Sequence, residues 1–369
     1  MMKNYLMNIK PYGNSVSHEV WKKGVVDGDN FFLKLDWNES TIGPSDYVKE
    51  RILKLAQKAS FYNLYPNTDN DNLISAIAKY VGCKENCVQT FASSDALHEY
   101  VVKMFLRERD KVVIVWPSYD NFRLTAEIAG ADIHYYIMKN MIFNAKELSS
   151  TIKETEAKFV YFCNPNNPTG QKIDNCIVEE LIREYAGTLF LIDEAYVEFS
   201  GESICNLIEK YDNLMISRTF SKAFALANFR IGYLVSSSNN INEISMIKNK
   251  KSISTFAQEA AIAALEDSSY MERYVEDVTK AREWLEVKLK ELTYVTKVYP
   301  STTNFVLFEI CNELEKKKLV KFLNFHNVYV RELSQLPELN RCIRITIGLK
   351  KQMEYVYELM LDYEKNSTL

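Results

Sequence analysis

The chain has 369 residues, 47% of them apolar and 25% charged, an ordinary globular profile long enough for two packed units. Lys and Arg number 45 against 49 Asp and Glu; the net charge of −4 excludes a generally basic, nucleic-acid-binding surface but leaves room for local anion pockets. With 11 Gly and 8 Pro, collagen-like and low-complexity classes are excluded as well.

Residues 1–40 carry no core of their own and read as an arm associated with the smaller of two units. Residues 45–59 open on an N-capping Ser45 and continue with apolar residues at helical spacing. A second helix is predicted over 72–81 and a third from Ser94. Short apolar runs then alternate with helical patterns: KVVIVW (111–116), ADIHYYI (131–137), KFVYFC (158–163), TLFLID (188–193), NLMISRTF (213–220) and RIGYLV (230–235). Such runs, joined by helices, predict a parallel sheet covered on both faces, placing a large α/β domain at 41–250. Helical segments dominate from about 240 to 292. Strands are predicted at 295–299, 304–310, 328–332 and 342–347 and a closing helix at 350–363, so 251–369 reads as a smaller α+β domain.

No apolar run is long enough to span a bilayer, and the first residues lack the apolar stretch of a signal peptide. The seven cysteines are scattered, with no C-x-x-C pair, which fits free thiols and a cytoplasmic location. Neither G-x-G-x-x-G nor a P-loop nor G-x-S-x-G occurs. His98-Glu99 begins like a zinc-protease motif, but Val102 stands where the second histidine would be. With only four histidines, no metal site is expected, and each histidine reads as a surface or partly buried structural residue.

Five features fall in order at the ends of the predicted strands, where open α/β sheets place ligands. They are Ser93-Ser94-Asp95, the Asn164–Gly170 segment NPNNPTG, Asp193-Glu194-Ala195-Tyr196, Ser221-Lys222 and Arg230. Singly, each has an ordinary reading as a turn former or a solvated charge. Their joint order carries the weight. Together with LDWNES (35–40), YPNTDN (65–70), WPSYDNF (116–122), RTFSKAFALANFRIGY (218–233), STTNFVLF (301–308) and CIRITIG (342–348), the chain resembles the fold-type I pyridoxal-phosphate (PLP) aminotransferases. Within them it is most similar to the histidinol-phosphate aminotransferases.

The resemblance implies a large, mostly parallel seven-stranded domain, a smaller α+β domain and a homodimer. It implies PLP held as a Schiff base on Lys222, with Asp193 keeping the pyridine nitrogen protonated and Asn167 and Tyr196 donating to the ring oxygen. Tyr119 would stack on the ring, and Ser94, Asp95, Thr219, Ser221 and Arg230 would form the phosphate cup. Tyr65 would reach the phosphate bound by the neighbouring subunit. Tyr12, Asn38, Arg331 and Arg344 match substrate-binding positions, and two arginines suit a phosphate better than a single carboxylate.

The chain departs from the family where a glycine is usual in ASSDAL (92–97), at Ala227-Asn228-Phe229, and in the turn before CIRI. These departures open the substrate to a small phosphorylated ketone or aldehyde other than the histidinol-phosphate partner, such as one leading to an amino-alcohol phosphate. The expected reaction moves an amino group, from L-glutamate, to that acceptor, with neither membrane nor nucleic acid as partner. A phospho-amino-acid decarboxylase is the alternative on the same scaffold. A non-catalytic PLP-binding regulator stands behind both, since its DNA-binding relatives need an N-terminal domain for which this chain shows no basic recognition helix.

Overall fold

The computed structural model describes residues 32–333 and 339–367, which form two compact units. The first comprises Pro44–Asn167 and Lys172–Met271; the second holds residues 32–43, Pro168–Gln171 and the chain from Glu272 on.

The chain opens with β1 (Leu33–Leu35), α1 (Asp46–Ala56), α2 (Asp71–Val81), β2 (Val88–Phe91), α3 (Ser94–Phe105), β3 (Lys111–Trp116), α4 (Asn121–Ile128) and β4 (Asp132–Ile137). It continues through α5 (Ala145–Thr155), β5 (Phe159–Cys163), α6 (Asn175–Glu184), β6 (Leu189–Asp193), α7 (Val197–Ser200), β7 (Leu214–Thr219), β8 (Gly232–Ser236), α8 (Ser238–Ile247) and α9 (Thr255–Glu266). The last elements are α10 (Ser268–Leu289), β9 (Val295–Tyr299), β10 (Phe305–Ile310), α11 (Glu313–Phe325), β11 (Val328–Glu332), β12 (Cys342–Thr346) and α12 (Lys350–Ser367).

In the first unit seven strands run in the order β2-β8-β7-β6-β5-β3-β4. All neighbours are parallel except β8, which is antiparallel to both β2 and β7. Strands β5 and β7 are buried at every residue, as two covered faces require. The register places Cys163, Asp193 and Ser217 in one row across β5, β6 and β7. Because side chains alternate along a strand, Glu194 and Arg218, one residue further on, belong to the opposite face. The face carrying Tyr161, Cys163, Leu191 and Met215 packs against Leu97, Val101 and Val102 of α3 and Phe122 of α4.

Helix starts follow the capping chemistry of their sequences. Ser45 Oγ accepts from Val48 N, and Ser93 Oγ from Ala96 N. The first unit runs on to Met271, so α9, which the sequence places in the smaller unit, belongs here, packed on α1 and α2. Its alanine-rich inner surface is almost wholly buried.

The second unit is a five-stranded sheet in the order β1-β11-β12-β10-β9. Strand β1, from the part of the arm the structure describes, pairs in parallel with β11 at the sheet edge. The strands predicted here appear within a residue of their expected bounds, whereas β1 and β2, three and four residues long, were not predicted.

One close approach fixes where the first unit's helix α3 begins. A Cβ added at Gly232 would lie 2.5 Å from Ser94 N and 2.7 Å from the Ser93 carbonyl carbon, so β8 and the start of α3 touch backbone to backbone. Gly232→Ala is expected to destabilise the protein by about 1–3 kcal/mol, read as a lowered urea midpoint. An unchanged midpoint would show that this approach is not tight.

Candidate active site

Asp193 ends β6 and is 3% exposed. Its Oδ2 accepts from the Tyr161 hydroxyl at 3.1 Å, and its Oδ1 from Ala195 N at 3.1 Å. Burial pushes this carboxyl up; the neighbouring His98 and these two donors oppose the shift. Burial likewise holds the Tyr161 phenol well above its usual range and pushes the Cys163 thiol up to about 12. His98 corrects the sequence reading: it is neither a surface nor a partly buried residue but lies wholly in the core, 3.7 Å from Asp193 Oδ2.

Tyr196 and Asn167 meet beside this carboxylate's loop, Asn167 Nδ2 donating to the Tyr196 hydroxyl at 3.3 Å. The Lys222 amine lies 5.9 Å from the centre of the Tyr196 ring. Expected site residues from β5, β6 and the segment after β7 thus come together.

The first turn of α3 gathers a second group. Asp95 accepts from the Tyr119 hydroxyl at 2.9 Å, from Asn121 Nδ2 at 3.0 Å and from Arg230 Nη2 at 3.4 Å. Asn121 went unnoticed in the sequence, although its place two residues after Tyr119 at the start of α4 was a usable signal. Thr219 pairs in register with Gly232, whose backbone touches Ser94, and Thr219 Oγ1 accepts from Ser221 N at 3.1 Å. Thr219, Ser221, Ser94, Asp95 and Arg230 therefore form one cluster. Arg230 of this cluster and Ser93, the residue before Ser94, have strained backbones, with φ 52° and 106°. Such conformations in non-glycine residues cost roughly 1–3 kcal/mol each and gather at functional sites.

On the opposite face of the sheet, Arg218 is clamped to Glu194: Nε and Nη2 lie 2.9 and 2.8 Å from Glu194 Oε2. Ser203 completes the arrangement, donating to Glu194 and accepting from Arg218 Nη2. This pair ties the residue after Asp193 to the residue before Thr219. Glu198, half-buried nearby with its Oε1 enclosed, has its carboxyl pushed up to about 7 by burial.

In the second unit Arg331 and Arg344 are direct cross-strand partners of β11 and β12. Arg344 is buried; its Nη2 donates to the Asp36 carbonyl at 2.7 Å and its guanidinium lies 5.3 Å from the Phe305 ring. Asn38, at φ 57°, is held by Thr346 through backbone and side chain, and Asn304 Nδ2 donates to its carbonyl. Tyr65 is 76% exposed, with the Lys251 amine 4.3 Å from its ring centre. Tyr12 lies outside the described residues.

The family model for aminotransferase class I and II matches residues 32–359. The chain belongs to that family. It is 40% identical to a dihydroxyacetone phosphate transaminase of Campylobacter jejuni, over 98% of this chain and 96% of the relative. It is 31% identical to a histidinol-phosphate aminotransferase of Ruminiclostridium cellulolyticum, over 87% and 89%. Among solved structures, a histidinol-phosphate aminotransferase of Sinorhizobium meliloti in complex with pyridoxal-5'-phosphate shares the fold, with a TM-score of 0.86 at 23% identity over 98% of both chains.

Family membership makes the protein a PLP-dependent aminotransferase, and the donor set tests that dependence. PLP carries a ring nitrogen that takes a proton, a phenolic oxygen, an aldehyde and a phosphate dianion. The first unit offers a buried carboxylate, an Asn–Tyr pair, a lysine, and hydroxyls with a guanidinium around a helix start that tolerates no Cβ at Gly232. The residues fit the group. Among the described residues, no cluster of three or more His, Cys, Asp or Glu is placed to hold a metal ion, and no helix is long and apolar enough to cross a membrane.

The buried ion pair yields a stability prediction. Glu194→Ala leaves the Arg218 guanidinium without its carboxylate and is expected to cost about 3–5 kcal/mol in urea denaturation. A loss below 1 kcal/mol would show that water reaches the pair.

Proposed function

We propose that this aminotransferase moves the amino group of L-glutamate to a small phosphorylated ketone, with dihydroxyacetone phosphate as the acceptor. The observation that carries the substrate class is the pairing of Arg331 with Arg344 across two strands, which concentrates two positive charges on one face. A phosphate monoester answers such a pair better than one carboxylate does. The 40% identity to a dihydroxyacetone phosphate transaminase, over nearly the full length of both chains, supports the small ketone. Glutamate leaves as 2-oxoglutarate, and the acceptor's C2 carbonyl becomes an amine, giving 2-amino-3-hydroxypropyl phosphate.

Bound PLP supplies an electron sink for the negative charge that develops at the donor's α-carbon. The Lys222 amine would anchor the cofactor and would also be the base for the proton on that carbon. The Asp193 carboxylate holds the proton on the ring nitrogen, and its burial strengthens that charge-assisted contact. Asn167 and Tyr196 donate to the ring oxygen. Tyr119, its hydroxyl held by Asp95, would supply an aromatic face to the ring. Ser94, Asp95, Thr219, Ser221 and Arg230 hold the phosphate through N–H groups, hydroxyls and the guanidinium. Arg331 and Arg344 hold the substrate's anionic end, with Asn38 beside it.

We further propose that the enzyme works as a homodimer in which Tyr65 reaches the partner's cofactor phosphate. The exposed apolar side chains Leu53, Tyr62, Leu64 and Tyr65, gathered within thirteen residues of the first unit, support a covered surface there. Leu64→Asp is expected to shift the protein toward monomer in light scattering and to lower turnover; a dimer of undiminished mass would remove this surface from the interface.

The deciding assay follows 2-oxoglutarate formed from L-glutamate by PLP-loaded protein with dihydroxyacetone phosphate. Histidinol phosphate with 2-oxoglutarate serves as the competing pair. Turnover with dihydroxyacetone phosphate supports the proposal, and turnover with histidinol phosphate alone overturns the acceptor. Lys222→Ala is expected to abolish 2-oxoglutarate formation; normal turnover in that variant would overturn the assignment of Lys222.

A further inference from the structure

Asp95 and His98, three residues apart on α3, share a helix face. Asp95 reaches the cluster at the helix start, while His98 points into the core toward the end of β6. Its ring packs edge-on against Tyr161 of β5 and Phe122 of α4, with centroids 5.5 and 5.8 Å away. Its Nε2 lies 3.2 Å from Ser217 Oγ and 3.7 Å from Asp193 Oδ2. Among the described residues its Nδ1 has no hydrogen-bond partner.

This geometry selects a tautomer. With the proton on Nδ1, a buried N–H would go unsatisfied, and the Nε2 lone pair would face a carboxylate oxygen. With the proton on Nε2, the N–H donates to Ser217 and points its positive end at Asp193, leaving only an acceptor unpaired. Protonation of both nitrogens would again bury an unsatisfied N–H. The titratable groups facing the ring are Asp193 from β6, Tyr161 from β5 and Asp95 from its own helix. Burial holds the imidazole below its usual range, in agreement with a neutral ring.

We infer that His98 is a positioning residue for the reaction: its Nε2–H, steadied by Ser217, keeps the Asp193 carboxylate ionised and fixed in a site that would otherwise favour its neutral form. The inference rests on the reading that Asp193 holds the ring-nitrogen proton of PLP. Three side-chain or backbone donors then surround one buried carboxylate: Tyr161, Ala195 N–H and, through its dipole, His98.

The test compares His98→Leu, which removes the donor at similar volume, with His98→Gln, whose amide N–H can stand in for Nε2. Asp193→Asn serves as the control. In His98→Leu the dissociation constant for PLP is expected to rise about tenfold, the equivalent of one pKa unit of lost charge stabilisation. The acid limb of its kcat/KM profile moves to higher pH, because a less supported carboxylate is protonated sooner. His98→Gln stays within about threefold of the parent, the scatter of one hydrogen bond's context. Nitrogen-15 NMR of histidine-labelled, PLP-loaded parent protein reads the tautomer directly and decides the matter should His98→Leu fail to fold. An Nε2–H ring that does not titrate between about pH 6 and 8 is expected, although an ordinary histidine would titrate there.

An Nδ1–H or titrating ring overturns the inference. So does an equal loss in His98→Leu and His98→Gln, which would mark a packing role. Unchanged PLP binding and pH profile in His98→Leu, with binding lost in Asp193→Asn, overturns it while leaving the Asp193 reading intact. Unchanged binding and turnover in Asp193→Asn overturns both.

Discussion

A carboxylate buried in an apolar core is the constraint on which the first unit depends. Moving an ionised carboxyl out of water costs far more than a domain's net stability unless donors replace the lost hydration. At Asp193 the replacement is built from three directions: a tyrosine two residues back on the neighbouring strand's row, a backbone N–H two residues on, and an imidazole from the covering helix. The parallel register makes this possible by lining up Cys163, Asp193 and Ser217. One residue of slip would turn Asp193 to the other face and exchange it for Glu194. That face is arranged for a different charge balance, since Glu194 there meets Arg218. The two faces therefore hold the register from both sides.

The same region stores strain. Ser93 sits at φ 106°, ψ 164°, a region populated almost only by glycine, and the family's usual glycine is absent from ASSDAL. The Ser93 hydroxyl offsets part of that cost by capping α3 at Ala96 N. A few residues away in space, Arg230 takes a left-handed conformation just before β8, and Gly232 supplies the room. The demand for tight backbone approach has been met at Gly232, where a side chain would collide with the main chain. At Ser93 it has been met by a residue that tolerates the strain because it gains a cap.

How far the sequence revealed this depends on the range of the interaction. The central strands were legible because β5, β6 and β7 are buried on both faces and read as unbroken apolar runs. Strands β1 and β2 escaped notice because three or four residues carry no period, and only pairing with β11 and β8 defines them. Helix α9 was misplaced for a related reason: the run of alanines in EAAIAAL is helical in either unit, and only its partners α1 and α2 decide which. The candidate motif residues Asp193, Tyr196, Lys222 and Arg230 stand out in the sequence because they follow or precede strands of the sheet, and their roles remain those proposed above. His98, Asn121 and Tyr161 do not stand out, since their roles come from side chains meeting across elements, and a lone histidine on an apolar helix face has an ordinary core reading.

The arginine pair of the second unit is best understood through the same economy of charge. Like charges placed directly opposite on an antiparallel pair oppose folding, and burying one of them adds to the cost. Arg344 Nη2 donates to the Asp36 carbonyl, and its guanidinium lies near the Phe305 ring. A carbonyl dipole and an aromatic face both attract a guanidinium, and together they orient it. On the proposed reading, a dianionic phosphate ester offsets more of that cost on binding than a singly charged carboxylate does. A preference for phosphorylated acceptors rests, on that reading, on the cross-strand register that sets the two arginines opposite one another.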